Sequence, residues 1–182
     1  MTWQDREREQ KNLQAVQQLL GEVSMAWATL DRWVDRILTD MLDISLSETA
    51  AIVSGMRLSA KCQIVRRLLA VDCPSPEWAE KMEALMLEIG VELNNERNRL
   101  VHDGWVFTAD RVEQINATAR IEKVPFRGKG LSFDKRRTVE LEDLRRWNVR
   151  AFSALLDLRE LRPALLPWLL ERRAQLSQPP HN

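Results

Sequence analysis

Near the start of the chain Leu13, Val16, Leu20, Val23, Trp27, Leu30, Val34, Ile37 and Met41 follow one another in alternating steps of three and four. A period of about 3.5 keeps one edge of a helix against its neighbours along its whole length, so the spacing predicts one long helix over residues 2–41. Gly21 falls inside it, costs about 1 kcal/mol relative to alanine, and marks a place for a bend. "SLSE", beginning at Ser45, has the form of a capping box and opens a short helix that stops at Gly55. Another helix is expected over residues 58–71. "PSPE" then offers Ser75 as N-cap, Pro76 at the first helical position, where its missing amide is not needed, and Glu77 at the positive end of the dipole. This fourth helix should run to His102 and end at Asp103-Gly104, because glycine readily takes the left-handed conformation of a C-cap.

After Gly104 the period shortens. Ile115, Ala117, Ala119 and Ile121 alternate with Asn116, Thr118, Arg120 and Glu122, the pattern of a half-buried strand, with residues 105–108 as its partner across the turn "ADR". Residues 131–133 and 138–141 add further strand, giving a small antiparallel β insertion over about 105–141. Leu144, Trp147, Ala151, Leu155 and Leu158 restore helical spacing up to Pro163, and residues 164–175 form a last short helix with Pro167 near its start. The polar, proline-rich tail at 177–182 is expected to fray and to take His181 with it. With no repeat and no low-complexity linker, residues 1–176 read as a single domain. Its class is mainly α: an antiparallel helical bundle with the β insertion between the fourth helix and the C-terminal helices.

Composition agrees with that class. The chain has 182 residues, enough for one domain with a substantial core, with 45% hydrophobic and 30% charged residues and only six glycines. Lys plus Arg equals Asp plus Glu at 27 each, so no overall field draws the protein to nucleic acid or membranes and any such attraction must be local. No window approaches the roughly 18 to 20 apolar residues of a membrane span, and no basic segment followed by an apolar stretch opens the chain. A cytoplasmic protein without a membrane partner is expected. "LLPWLLERR", from Leu165, is read as packing on the bundle in preference to a surface anchor. Cys62 and Cys73 have no second pair and no histidine at ligand spacing, so they read as reduced structural thiols, with no metal and no cofactor. The tryptophans are spread along the helices as core or interface residues. No phosphate-cradling glycine loop, Ser/His/Asp set or paired-carboxylate spacing stands out.

The fourth helix carries the candidate chemistry. On a wheel of about 100 degrees per residue, Met82, Leu85, Ile89, Leu93, Glu96 and Leu100 share a core stripe. Leu87, Val91, Asn94, Asn98 and His102 share a second stripe that begins apolar and ends polar, so a second protomer or another helix is expected to cover the Leu87 face. Arg97 lies on the flank of the core stripe, from which its long side chain can reach round toward the asparagines. Each polar residue has an ordinary explanation. A histidine near a helix C-terminus offsets the dipole, Asn98 can bond to nearby backbone, and Arg97 can pair with Glu92 or Glu96 in a solvated charge run. Together they also suit RNA cleavage through the ribose 2'-hydroxyl. Histidine ordinarily titrates near neutrality and can move a proton, while a guanidinium stabilises charge on a phosphorane through two parallel hydrogen bonds. A single histidine does not easily serve as base and acid in one step, so two copies facing each other across a homodimer would complete the arrangement.

The stretch "RNRLVH", Arg97 to His102, resembles the HEPN superfamily, whose signature is Arg-Asn, three variable residues, then His at the end of a long bundle helix. Gly104 and Trp105 resemble the usual ending of that motif, and "GMRLSAKCQIVRRLL", with Gly55 and Lys61, resembles a neighbouring segment of related bundles. The resemblance covers roughly residues 25–105 and the closing helix from about Leu144. It implies a helical bundle that dimerises so that two signatures line one cleft. In active members the Arg and His cut RNA without metal while the Asn orients its neighbours. Carried over residue by residue, Arg97 is the phosphate clamp, His102 the general acid/base and Asn98 the supporting amide; Asn94, from its place on the second stripe, is a candidate RNA contact. The resemblance implies a toxin or defence effector, with an antitoxin or nucleotidyltransferase-like protein as possible partner. Other members keep the fold and only bind a protein partner or nucleotide, which is the alternative expectation. The β insertion lies outside the minimal bundle and places substrate preference beyond the resemblance.

Within that insertion "KVPFRGKGLSFDKRR" carries Lys123, Arg127, Lys129, Lys135, Arg136 and Arg137 against a single acid, Asp134, and interleaves Phe126 and Phe133. Cations give salt-dependent affinity for phosphate and exposed aromatics stack on bases, so the segment is a candidate RNA contact. The competing reading is a solubilising hairpin whose cations protect sheet edges and whose phenylalanines are buried.

Overall fold

The seam predicted at the start of the chain is one unbroken helix, α1 (Trp3–Leu42), in a computed structural model that describes residues 2–102, 104–107, 112–115, 136–138 and 141–176. Val16, Val23, Leu30, Val34, Ile37 and Met41 of that seam are buried, and exposed Gly21 does not interrupt the helix. Asp43 takes a positive φ of 56°, its amide bonds to the carbonyl of Asp40, and that of Ile44 bonds to Thr39. This is a Schellman stop with aspartate in the place glycine usually fills. Ser45 and Glu48 close the expected capping box of α2 (Leu46–Val53), after which Gly55 turns the chain at φ 75°. α3 (Leu58–Leu69) and α4 (Pro76–Leu87), capped by Ser75, follow as the sequence implies.

The helical run 76–102 then departs from the expected single α-helix. Residues Glu88–Leu93 form a π-helix, and α5 (Asn94–His102) continues from it. Beyond α5 three short strands, β1 (Gly104–Phe107), β2 (Val112–Ile115) and β3 (Arg136–Thr138), pair antiparallel in that order. Gly104 opens β1 opposite Ile115, so it starts a strand and is not the left-handed helix stop read from the sequence. Ile115, read as the start of an alternating strand, is instead the last residue of β2. Residues 116–135, which hold the rest of that alternation, the expected strand at 131–133 and most of the basic segment, lie outside the described residues, as do Asp103 and the tail 177–182. α6 (Leu141–Leu161), a 3-10 turn at Arg162–Ala164 and α7 (Leu165–Leu176) complete the described chain, which is mainly helical. Among the described residues no helix is long and apolar enough to cross a membrane.

The chain divides into two compact units, each drawn from two stretches of sequence. The first comprises Met1–Ser24 and Glu96–Asn148. Its buried residues include Val16, Leu19, Val23, Leu100, Leu144 and Trp147, and Asn148 of α6 donates to the Glu22 carboxylate of α1 at 3.1 Å. The second comprises Met25–Asn95 and Val149–Asn182. Here α3 packs on α4 and on the π segment. Trp78 of α4 donates its indole N–H to the carbonyl of Leu161 at the end of α6, at 2.9 Å. Arg162 forks onto Asp40 at 2.6 and 3.2 Å, and Arg173 pairs with Asp43 just beyond the end of α1. Lys61 is 4% exposed and lies 2.9 Å from Asp31 and 2.8 Å from Asp35. Burial alone would lower its pKa, but the hydrogen bonds to Asp35 and Asp31 outweigh that and raise it.

Candidate functional site

The π turn determines how the candidate residues are phased. Each turn of a π-helix holds one more residue than a turn of α-helix closing i→i+4 bonds, so residues beyond it are rotated relative to a straight continuation. Gly90 explains why the turn is tolerated. A Cβ built there would stand 2.9 Å from the Cβ and 3.5 Å from the Sγ of Cys62, so α3 approaches the backbone at a distance only glycine permits. The extra residue is visible in the burial pattern, where both Ile89 and Gly90 face inward between Met86 and Leu93. Arg150 of α6 grips both ends of the same turn. Its Nη2 lies 2.7 Å from Glu92 and 3.2 Å from Glu88, and its Nε donates to Glu88 at 3.3 Å.

The core stripe holds: Met82, Leu85, Ile89, Leu93 and Leu100 are buried and Glu96 is half-buried. The second stripe runs across the π turn, with Leu87 and Val91 before and within it and Asn94, Asn98 and His102 after it. Among the described residues the apolar part is left partly open to solvent. Leu87 is 40% and Val91 51% exposed.

On α5 itself Asn94, Arg97 and Asn98 are half-buried and His102, the last helical residue, is exposed. Arg97 donates from Nη1 to Oδ1 of Asn98 at 3.1 Å, so its side chain has turned toward the asparagine face as the sequence implied. Trp105 donates its indole N–H to the carbonyl of Leu100 at 3.1 Å and ties β1 back onto the final turn that carries His102. Without that donor the carbonyl would be one of the unsatisfied acceptors of a helix end. Of the remaining candidates, Lys129 and Lys135 lie outside the described residues. Arg136 and Arg137 are placed on β3 by their backbone, opposite Ile115 and Gln114.

The same short helix therefore carries a guanidinium bonded to an amide and, at its end, an accessible imidazole, groups that respectively bind anions and move protons. Sequence reasoning put forward Arg97, Asn98 and His102 as candidates and did not anticipate the grip of Arg150 or the π turn at Gly90. A glycine in the middle of a helical run was the available signal. Among the described residues no group of three or more His, Cys, Asp or Glu is placed to hold a metal. Comparison with family models, with curated proteins and with solved structures finds no match.

Proposed function

We propose that the chain is a metal-independent endoribonuclease of the HEPN type that acts as a homodimer, in the manner of a toxin or defence effector. The observation that carries this reading is the Arg97–Asn98 hydrogen bond at 3.1 Å on the same short helix as exposed His102. In this scheme His102 takes the proton of a ribose 2'-hydroxyl. The freed oxygen attacks the adjacent phosphorus, the bond from phosphorus to the 5'-oxygen breaks, and the second protomer's His102 returns a proton to that leaving oxygen. The products are a 2',3'-cyclic phosphate and a 5'-hydroxyl, with no change of oxidation state. Arg97 stabilises the charge that builds on the phosphoryl oxygens, and Asn98 holds Arg97 in position. Leu87 and Val91, exposed among the described residues, support the dimer, since a second copy would cover them. Asn94, Lys129, Lys135, Arg136 and Arg137 would meet the RNA, and an antitoxin of the nucleotidyltransferase-like class would restrain the enzyme.

The test is incubation of the purified protein with RNA in EDTA, followed by analysis of the ends. Cyclic phosphate termini, lost in Arg97→Ala, are expected. Intact RNA under all conditions, or 3'-hydroxyl ends, would overturn the reading.

A further inference from the structure

The second unit contains a cleft that the proposed reaction does not use. Trp33 of α1, Arg159 of α6, Pro163 of the 3-10 turn and Leu166 and Leu169 of α7 enclose about 430 Å³ together with the Arg162–Asp40 pair. That volume lies in the range of small-molecule sites, which are mostly apolar with a few convergent polar groups. The apolar part is unusual for a surface. Leu166 is 64% exposed and Trp33 is only half-buried, so an indole and an isobutyl group face solvent beside each other.

Charge decides what would enter. Two guanidiniums oppose one carboxylate in the lining, so the cleft is net positive. Arg162 is committed, with Nε and Nη2 both on the Asp40 carboxylate, and this fork fixes one wall. Arg159 is different. It is exposed and has no ion-pair partner among the described residues, which leaves a planar donor fork free for an oxyanion. Arg36 stands over the Trp33 ring at 5.1 Å and adds a further cation beside it. Asp40 keeps lone pairs that Arg162 does not occupy, so it can accept from a hydroxyl.

We infer that this cleft binds a small aromatic anion of the nucleoside monophosphate class, its base against Trp33 and Leu166 and its phosphate on Arg159. A planar ring uses the indole and the leucines, a phosphate uses the free fork, and a ribose hydroxyl has Asp40 to donate to. A partner helix would instead need a longer run of apolar positions at helical spacing than Leu166 and Leu169 provide.

Calorimetric titration of the full chain with adenosine monophosphate tests the inference. Saturable binding is expected, at least about tenfold tighter than for adenosine or inorganic phosphate alone, because both halves of the ligand are held. Arg159→Glu should weaken it by at least about tenfold, and because Arg159 is exposed the variant should fold; Arg159→Gln provides a milder second variant. His102→Ala should bind as the parent does, which separates this cleft from the proposed cleavage site whether or not RNA is cut. No saturable binding, equal binding by Arg159→Glu, or loss of binding in His102→Ala would each overturn the inference.

Discussion

Arg97 and Asn98 are neighbours in sequence, yet the arginine Nη1 donates to the asparagine Oδ1 at 3.1 Å. Adjacent positions on a helix point about 100 degrees apart and do not ordinarily meet. The contact exists because the arginine folds its long stem back along the helix, which leaves its guanidinium oriented by an amide. Asn98→Ala should therefore lower RNA cleavage by about tenfold while lowering the thermal midpoint by only about 2–4 °C, because a part-buried hydrogen bond contributes about 1 kcal/mol. Asn98→Asp should act differently. A carboxylate beside the guanidinium strengthens the pair but repels phosphate, so the loss should fall on KM for RNA more than on kcat.

Gly90 is the residue on which the π turn depends most directly. In Gly90→Ala the new Cβ would stand 2.9 Å from the Cys62 Cβ, so one helix must shift, at a cost of about 1–3 kcal/mol. Because the clash is with Cβ, adding Cys62→Ala should not restore stability, whereas adding Cys62→Gly should recover part of it. Chemical denaturation of the three variants checks this, and full recovery by Cys62→Ala would contradict the geometry.

The Lys61 pair gives a pH dependence. Burial opposes the charged amine, but Asp35 and Asp31 raise its pKa above the ordinary 10.5, and burial pushes the Cys62 thiol from 9.0 up to about 12. Both groups hold their protons more tightly folded than unfolded, so their contribution is fully present below about pH 9 and is lost as pH rises toward 12. The thermal midpoint should fall across that window. In Lys61→Met the lysine part of the fall should disappear. Its absolute cost near neutrality should sit toward the lower end of about 3–5 kcal/mol, because Asp31 and Asp35 keep 38% and 25% of their side-chain surface to water.

The two thiols should separate by reactivity. Cys62 is buried with a raised pKa, while Cys73 is half-buried, and the thiolate is the form that alkylates. In the folded protein at mildly alkaline pH, iodoacetamide should label Cys73 well before Cys62, with both labelled in denaturant. Mass spectrometry of the tryptic peptides reads the order directly.

Much of this molecule was legible in its sequence because capping and periodicity act locally. Ser45 with Glu48, Ser75 with Pro76 and the seam from Leu13 to Met41 each announce an element through bonds made within a few residues. That Arg97, Asn98 and His102 share one helix end is legible for the same reason. What escaped reading depends on contacts distant in sequence. The π turn answers to Cys62 on another helix, and Arg150 reaches Glu88 and Glu92 from about 60 residues away. A wheel at constant phase does not register the extra residue of that turn, between Leu87 and Asn94. Gly104 likewise went to a strand, since pairing with Ile115 set its conformation.

The proposed chemistry stands or falls on His102, and single-turnover cleavage of a short RNA in EDTA measures its role most directly. With circular dichroism showing both proteins equally folded, the parent should cut and leave cyclic phosphate ends, and His102→Ala should be slower by about 10²–10⁴-fold. Equal rates for the two proteins would contradict the assignment.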